Sequence, residues 1–318
     1  MVHLPVLLPK VRSAHRALRA GALVLALGVT GCGGSSSAAG AGGAGGASTP
    51  GSATATARHS GEVDVLSAGS LDTIMTKVVG PAFHRATGYT LVNTSGGSGT
   101  LASDIRNRID RADVFISASP AVNATLTGAR NGGWESWYAP FASSPLVLGY
   151  YRGSHFAAAL RSKPWYEVVT RPGFRLGRTN PTQDPAGVLA ARALLQTARA
   201  QHLPALKRLA TETSDEYAED PEAADLLSGQ LDAAFMYEAA ANSQHSPFVS
   251  LTGVHLAGDY TISLLNHAPH TAAAQAFIRF LLGPTGHAEL RADHFTIIRP
   301  AQGVGTGVPA GVRSVVRP

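Results

Sequence analysis

The sequence has very little cysteine, since Cys32 is the only one among its 318 residues. A single thiol cannot form an internal disulfide, and it cannot supply the ligands of a cysteine-rich zinc or iron–sulfur site. Charged residues are also scarce, at 15% of the chain, whereas 44% of the residues are hydrophobic. A chain of this length and composition can bury a sizeable core, which excludes a fully disordered protein.

A basic excess is missing from most of the chain, although the formal net charge is +5. Four basic residues between Lys10 and Arg19 lie in a segment without acidic residues, so the rest of the chain carries 22 basic and 21 acidic residues. Residues 61–302 carry 19 basic and 21 acidic residues. The sequence therefore offers no basic stripe for nucleic acid.

Common catalytic motifs are absent from the sequence, which contains no HExxH, no GxxxxGK[ST] and no GxGxxG between a strand and a helix. Gly96-Gly97-Ser98-Gly99-Thr100 differs from the nucleophile elbow at its last position. His267 and His270 flank a turn sequence, which disfavours a two-histidine metal site. The acidic residues within 212–225 are interpreted as a solvated helix face. We expect neither an enzyme nor a resident metal or cofactor.

The first 31 residues are typical of a secretory signal peptide. A basic segment precedes the short apolar run 20–29, which is too short to span a bilayer. Val29-Thr30-Gly31-Cys32 resembles the lipobox of bacterial lipoproteins, in which the cysteine is acylated and becomes the N-terminus. The alternative is an ordinary signal peptide with an accidental cysteine. We predict a lipid anchor at Cys32, because two or more acyl chains hold a protein stably on a membrane.

Low-complexity composition predicts a disordered tether over residues 32–61, which are almost entirely Gly, Ala, Ser and Thr. The Gly/Val/Pro-rich end of the chain, residues 303–318, is likewise predicted to be a disordered tail.

Short apolar strands alternate with helices over the remaining chain, which predicts an α/β domain with a mostly parallel sheet. The expected strands are 62–67, 89–94, 112–118, 146–151, 175–178, 231–237 and 260–264, with 295–298 as a further extended segment. The expected helices begin near 71, 101, 165, 188, 221 and 272.

Four turns at strand ends carry small hydroxyl or glycine residues, and such turns let backbone N–H groups approach a ligand closely. They are Ser67-Ala68-Gly69-Ser70, Ser95-Gly96-Gly97-Ser98-Gly99, Ser143-Ser144-Pro145 and Asp184-Pro185-Ala186-Gly187. Together they suit a compact, multiply charged anion. Any one of them is equally compatible with a simple helix cap.

Five segments, taken in order, resemble the molybdate/tungstate-binding proteins of bacterial ABC importers, especially their archaeal-type tungstate-binding branch. These segments are 65–71, Gly97-Ser98, 112–118, 180–187 and 228–237. The resemblance covers residues 62–302 and implies a type II periplasmic-binding-protein fold, in which two α/β lobes close on the ligand. By that analogy lobe one comprises 62–145 plus 242–302, and lobe two comprises 146–241.

The resemblance also implies the ligand-binding residues. Family members hold the oxyanion with two serines, backbone N–H groups near the DP-x-G turn and a tyrosine. The matching positions are Ser70, Ser98, Ala186 or Gly187, and Tyr237, with Gly69 and Ser144 as further possibilities from the turns above.

Two carboxylates complete six-fold oxygen coordination of the metal in the archaeal-type branch, and Asp184 matches one of them. The other is missing, because Met236 stands where the branch has a glutamate and Glu238 follows Tyr237. A thioether is a poor ligand for a hard, high-valent metal centre. We therefore expect neutral donors to bind a tetrahedral anion. Asp184 is expected to be held away from the anion or to cap the next helix. Glu238 can replace the missing glutamate only if the strand end is rearranged.

These observations predict an extracytoplasmic, lipid-anchored, monomeric solute-binding protein that delivers tungstate or molybdate to an ABC permease. Another small anion or an organic solute is the alternative within the binding class. A serine hydrolase using Ser70 or Ser98, or a purely structural cell-surface protein, is disfavoured. No histidine–aspartate pair can be placed beside either serine from the sequence, and a structural protein has no need of Ser/Gly turns at successive strand ends.

Overall fold

The structure is a computed structural model that describes residues 61–318. The predicted signal peptide, Cys32 and the tether up to residue 60 lie outside the described residues. Within 61–318, none of the helices combines the length and the apolar character that crossing a membrane requires.

Thirteen strands are present in the described part of the chain. They are β1 (Glu62–Ala68), β2 (Thr90–Gly96), β3 (Val114–Ser117), β4 (Trp137–Tyr150), β5 (Leu176–Thr179), β6 (Glu216–Tyr217), β7 (Ala233–Tyr237), β8 (Phe248–Ser250), β9 (Ala257–Leu264), β10 (Thr296–Ile297), β11 (Ala301–Gln302), β12 (Val304–Gly305) and β13 (Val316–Arg317). The strands predicted from the apolar pattern are confirmed, with shifts at their ends.

The helices of residues 61–318 follow the strands as the sequence predicts. They are α1 (Asp72–Ile74), α2 (Gly80–Thr87), α3 (Ser98–Arg106), α4 (Pro120–Ala124), α5 (Ala157–Ser162), α6 (Trp165–Val169), α7 (Pro185–Ala200), α8 (Pro204–Thr211), α9 (Glu219–Ser228), α10 (Glu238–Ser243), α11 (Thr271–Leu281) and α12 (Pro284–Ala292). A π-helical segment, Met75–Val79, joins α1 to α2, and Pro81 lies in the first turn of α2.

The main sheet is mixed, so the expectation of a mostly parallel sheet is wrong. Its strand order is β2-β1-β3-β9-β4-β7-β5-β6. β1 is parallel to β2 and β3, and β5 is parallel to β6 and β7. β4 and β9, which join these two parallel groups, are antiparallel to each other and to their other partners. Antiparallel pairing needs no helical crossover, and the sequence pattern of a buried strand does not reveal its direction.

β4 connects the two parallel groups because it changes partners along its 14 residues. Residues 139–145 pair with β9, and residues 146–150 pair with β7. This change of partner falls at the boundary predicted between the lobes. β8, which the resemblance places in lobe one, pairs with residues 147–149 of β4. The lobe boundaries stay a prediction.

Aromatic side chains fill the core on both sides of β4. Phe83 packs edge-on against Phe277 at a ring-centroid distance of 5.3 Å, and Trp165 packs edge-on against Phe235 at 5.7 Å. All four are at most 1% exposed. Burial of each such side chain contributes about 1.5–3 kcal/mol to folding, which holds the strand ends in a defined arrangement.

Residues 303–318 are ordered in the structure, so the predicted disordered tail is wrong. β12 pairs with Tyr138 and Trp137 of β4, and β13 pairs with β11. Val308, Val312 and Val316 are buried. The composition resembles a linker, but the spaced valines supply an apolar face that the folded domain covers.

Candidate functional site

A small cavity lies where β1, β5 and β7 end. Its volume is about 20 Å³, which is room for about one water molecule. Its polar lining comes from Ser70, Thr179, Asp184, Glu219, Glu222, Tyr237 and Gln244. Ligands of α/β proteins bind at the carboxyl ends of strands. Thr179 and Tyr237 are the last residues of β5 and β7, and Ser70 lies two residues after the end of β1.

Ser70 lies in the turn after β1 and is 6% exposed. Its Oγ is 2.9 Å from the hydroxyl of Tyr260, a fully buried residue of β9. This hydrogen bond fixes the serine side chain at the wall of the cavity. Tyr260 was not singled out from the sequence, because nothing in its local pattern distinguishes it from a core tyrosine.

Tyr237, the last residue of β7, is 2% exposed, and its hydroxyl has no hydrogen-bond partner among the described residues. Its ring packs edge-on against Tyr260, at 5.6 Å between centroids. A Cβ atom built on Gly258 would lie 3.0 Å from the Tyr237 hydroxyl oxygen, so glycine is needed for this approach. Burial raises the pKa of Tyr237 well above its ordinary value, and the nearby Asp184 raises it further. The hydroxyl is therefore a neutral donor at physiological pH.

Asp184 is the N-cap of α7, and its Oδ1 accepts a 3.0 Å hydrogen bond from the Ala186 N–H. The capping role expected from the sequence is present. Oδ2 is buried without a partner, and Asp184 lines the cavity, so the side chain is not held away from the site. Burial raises the pKa of Asp184, against the effect of the Ala186 N–H bond. Gly187, one residue further on, packs so closely on the Thr179 carbonyl that a Cβ atom would clash.

Ser98 begins α3 and is fully buried, but it does not line the cavity. Its Oγ accepts a 3.1 Å hydrogen bond from the Ala118 N–H at the end of β3. The next two N–H groups, of Gly99 and Thr100, donate to the Gln183 carbonyl at 2.8 and 3.2 Å. The second serine turn is thus hydrogen-bonded to neighbouring backbone on both sides.

Ser144 and Glu238 also lie outside the cavity lining. Ser144 Oγ accepts a 3.0 Å hydrogen bond from the Ala239 N–H at the start of α10. Glu238 is partly exposed and faces a separate surface hollow beside residues 250–257. Met236 lines the cavity, whereas Glu238 does not.

Two glutamates of α9 are the functional candidates that the sequence interpretation missed. Glu219 and Glu222 both line the cavity, and Glu222 is 4% exposed, so the solvated-face interpretation is wrong for them. Burial raises the pKa of both carboxyl groups well above the ordinary value, and the nearby Asp184 raises them further. The sequence did contain a signal for this pair of glutamates: a spacing of three residues places both side chains on one helix face.

Arg178 of β5 is the cation beside this acidic group, and it is 1% exposed. Its Nη2 lies 2.9 Å from Glu216 Oε1 and 2.5 Å from the Glu212 carbonyl oxygen. Nε and Nη1 are buried without partners among the described residues. The positive charge of Arg178 opposes the rise in the pKa of Glu222.

A group of possible cation ligands, Glu62, Asp64 and His270, lies elsewhere on the described part of the chain. His270 Nδ1 is 3.0 Å from Oδ2 of the buried Asp113, and this hydrogen bond raises the pKa of His270. His267 is not part of this group.

The cavity lies at the carboxyl ends of strands, where α/β folds bind their ligands. Residues 63–296 match the family model described as "Bacterial extracellular solute-binding protein". The chain belongs to this family, and it is a binding protein rather than an enzyme.

Several known proteins are similar to this chain. An uncharacterized solute-binding protein of Petrotoga mobilis is 24% identical over 77% of this chain and 86% of its own length. The molybdate/tungstate-binding protein WtpA of Pyrococcus abyssi is 23% identical over 58% of this chain and 68% of its own. The Azotobacter vinelandii periplasmic molybdate-binding protein superposes with a TM-score of 0.59 and 22% identity, covering 74% of this chain and 100% of that one. The structural likeness shows the fold, that of the type II periplasmic binding proteins.

Proposed function

We propose that this protein captures tungstate or molybdate outside the cytoplasm and delivers it to the permease of an ABC importer, anchored to the membrane through Cys32. One observation carries the proposal. Side chains from the ends of β1, β5 and β7, which are far apart in sequence, converge on one buried polar cavity. The relatives that bind molybdate or tungstate agree with an oxyanion as the ligand.

Neutral hydroxyl and backbone donors are the proposed recognition groups. Ser70 and Tyr237 line the cavity. The Gly187 N–H at the start of α7 is the proposed backbone donor, since the N–H of Ala186 donates to Asp184. The dipoles of such donors balance the negative charge of the anion, so that no cationic side chain has to pair with it. Discrimination against sulfate then depends mainly on cavity size.

Closure of two lobes is the proposed mechanism, and it involves no bond chemistry. Ser70 belongs to the lobe formed by 62–145 plus 242–302, whereas Asp184, Gly187 and Tyr237 belong to the lobe formed by 146–241. A ligand that contacts both lobes binds the closed state more tightly and shifts the population towards it. The partner change in the middle of β4 is a suitable place for the bending.

Isothermal titration of the purified protein with tungstate, molybdate, sulfate and phosphate tests the proposal. We expect tungstate or molybdate to bind in preference, with Kd well below about 100 μM, which corresponds to at least about 5.5 kcal/mol. Preferential binding of sulfate or phosphate would assign another small anion, and the absence of any binding would refute an oxyanion carrier. Glu238→Gln is the matched control, because this carboxyl lies outside the cavity lining.

Tetrahedral coordination is the second part of the proposal, and X-ray absorption of the tungstate complex tests it. Four oxygens around the metal agree with Met236 in place of the family glutamate. Six oxygens would bring carboxylates into the coordination sphere and overturn the tetrahedral assignment.

A further inference from the structure

The start of α3 is capped by the main chain of a distant segment. The first N–H groups of a helix have no partner within the helix, and the N-cap residue Gly97 supplies no side-chain acceptor. The Gln183 carbonyl takes this role, because the N–H groups of Gly99 and Thr100 donate to it at 2.8 and 3.2 Å. In the proposed arrangement the start of α3 belongs to lobe one and Gln183 belongs to lobe two. Both hydrogen bonds therefore cross between the lobes.

Two glycines at the start of α3 allow this contact, and their backbone conformation does not require glycine. Gly97 has φ −55° and ψ 124°, which other residues also adopt. Gly99 lies within α3, where alanine is the more favourable residue. A Cβ atom on Gly97 would lie 2.7 Å from the Gln183 carbonyl oxygen. One on Gly99 would lie 2.8 Å from that oxygen and 2.9 Å from the Thr182 carbonyl oxygen. Main-chain atoms cannot rotate away as a side chain does, so separation of the two segments is the way to relieve either clash.

The turn that presents the Gln183 carbonyl is itself held in place by hydrogen bonds. The N–H groups of Gln183 and Asp184 donate to the Asn180 carbonyl at 3.0 and 2.9 Å. Asn180 is fixed on β6, because its N–H donates to the Tyr217 carbonyl at 2.8 Å and its Nδ2 donates to Glu216 Oε2 at 3.0 Å. The acceptor is therefore preorganised, and little further ordering is required when α3 approaches it.

We propose that residues 97–100 and the Gln183 carbonyl form a latch that holds the two lobes closed and thereby contributes to solute affinity. This inference rests on the proposed function, which assigns the two segments to separate lobes. Neither hydrogen bond involves the solute, so the latch favours closure whichever solute is bound. A contact made only in the closed state shifts the population towards that state, and the apparent affinity rises with the fraction of closed protein.

Three glycines near the start of α3 provide the test variants and their matched control. Gly97→Ala and Gly99→Ala each place a methyl group against the Gln183 carbonyl. Gly96→Ala adds the same methyl group one residue earlier, where its nearest neighbour is the Leu101 side chain at 3.8 Å, an ordinary contact distance. Gly99→Ala decides the question if Gly97→Ala does not fold, because alanine is favourable within a helix.

Amide hydrogen exchange, followed residue by residue by NMR without solute, tests the latch directly. Because the first amides of a helix have no partner within it, protection of the Gly99 and Thr100 amides reports the contact with Gln183. We expect both amides to exchange at least about tenfold more slowly than free amides in the unmodified protein and in Gly96→Ala. This protection should be lost in Gly97→Ala, and the Thr100 amide should lose it in Gly99→Ala. Unprotected amides in the unmodified protein, or equal protection in all four proteins, would overturn the inference.

Calorimetric titration with tungstate and with molybdate measures what the latch contributes to affinity. We expect Gly97→Ala and Gly99→Ala to bind the oxyanion about ten- to hundredfold more weakly than the unmodified protein, because two hydrogen bonds of the closed state are lost. Gly96→Ala should bind it unchanged. Unchanged affinity in both latch variants, or equal weakening in Gly96→Ala, would overturn the contribution of the latch to binding. If none of the four proteins binds either oxyanion, the proposed function fails, and hydrogen exchange alone decides about the latch.

Discussion

Replacement of Tyr237 by phenylalanine should change stability and affinity in opposite directions. The hydroxyl is buried without a partner among the described residues, in a side chain that is 2% exposed. An unpaired buried polar group costs about 1–3 kcal/mol, so its removal should raise the free energy of unfolding of the ligand-free protein by up to that amount. The ring contact with Tyr260 is retained.

The same substitution removes a donor from the bound oxyanion. A hydrogen bond to a charged group contributes about 1.5–3 kcal/mol, so the affinity for tungstate should fall by about ten- to 150-fold. A residue whose hydroxyl only fills space would show neither effect. A gain in stability together with a loss of affinity is the expected signature of a group held unpaired for its ligand.

Urea unfolding without ligand and calorimetric titration with tungstate measure the two quantities. Tyr260→Phe is the control, because its hydroxyl is 2.9 Å from Ser70 Oγ in the ligand-free protein. Loss of that hydrogen bond should lower the free energy of unfolding by about 1 kcal/mol. Unchanged tungstate affinity in Tyr237→Phe would refute the role of this hydroxyl, and reduced stability would mean that it already has a partner.

Four further predictions follow from single contacts. Ser70→Ala should weaken tungstate binding by about ten- to hundredfold in calorimetric titration, and unchanged affinity would make the first turn a structural turn only. Ser98→Ala should leave the Ala118 N–H unpaired and lower the free energy of unfolding by about 1–3 kcal/mol in urea titration; unaltered stability would contradict this. Burial raises the pKa of Glu135 from 4.5 to about 7. Because the folded state holds this proton more tightly than the unfolded state does, the contribution of Glu135 to the free energy of unfolding should be complete below pH 4.5. The free energy of unfolding should then fall by about 3 kcal/mol as the pH rises to 7. Glu135→Gln should remove that loss, and an unchanged pH profile would refute the assignment. Cys32→Ser should release the protein from the membrane fraction or leave it unprocessed, and a processed, membrane-bound variant would refute the lipid anchor.

Local sequence patterns were sufficient for the elements and for part of the site. Alternation of apolar residues predicted β1 and β7, and the DP-x-G turn predicted the Asp184 cap of α7. These features depend on contacts between residues close in sequence, such as the Asp184 bond to the Ala186 N–H. The positions of Ser70 and Tyr237 at strand ends followed from the same patterns.

Partners that are distant in sequence could not be predicted in this way. Ser98 is followed by a Gly/Thr helix start and resembles an anion-binding turn, but its hydroxyl meets the Ala118 N–H, which only the pairing of β1 with β3 brings near. The directions of β4 and β9 could not be predicted either, because a buried strand has the same apolar sequence pattern whether it is parallel or antiparallel to its neighbours.

The sequence by itself determined the alternation of strands and helices, the strand-end turns and the near-neutral charge of the folded part, because each depends on composition or on neighbouring residues. Only the tertiary structure decided which charged residues are buried. Glu222 has the local sequence of an exposed helix, yet packing of α9 beside β5 and β7 leaves it only 4% exposed. Burial depends on contacts between elements that are distant in sequence, so an acidic pattern typical of an exposed helix can line a binding cavity in the folded protein.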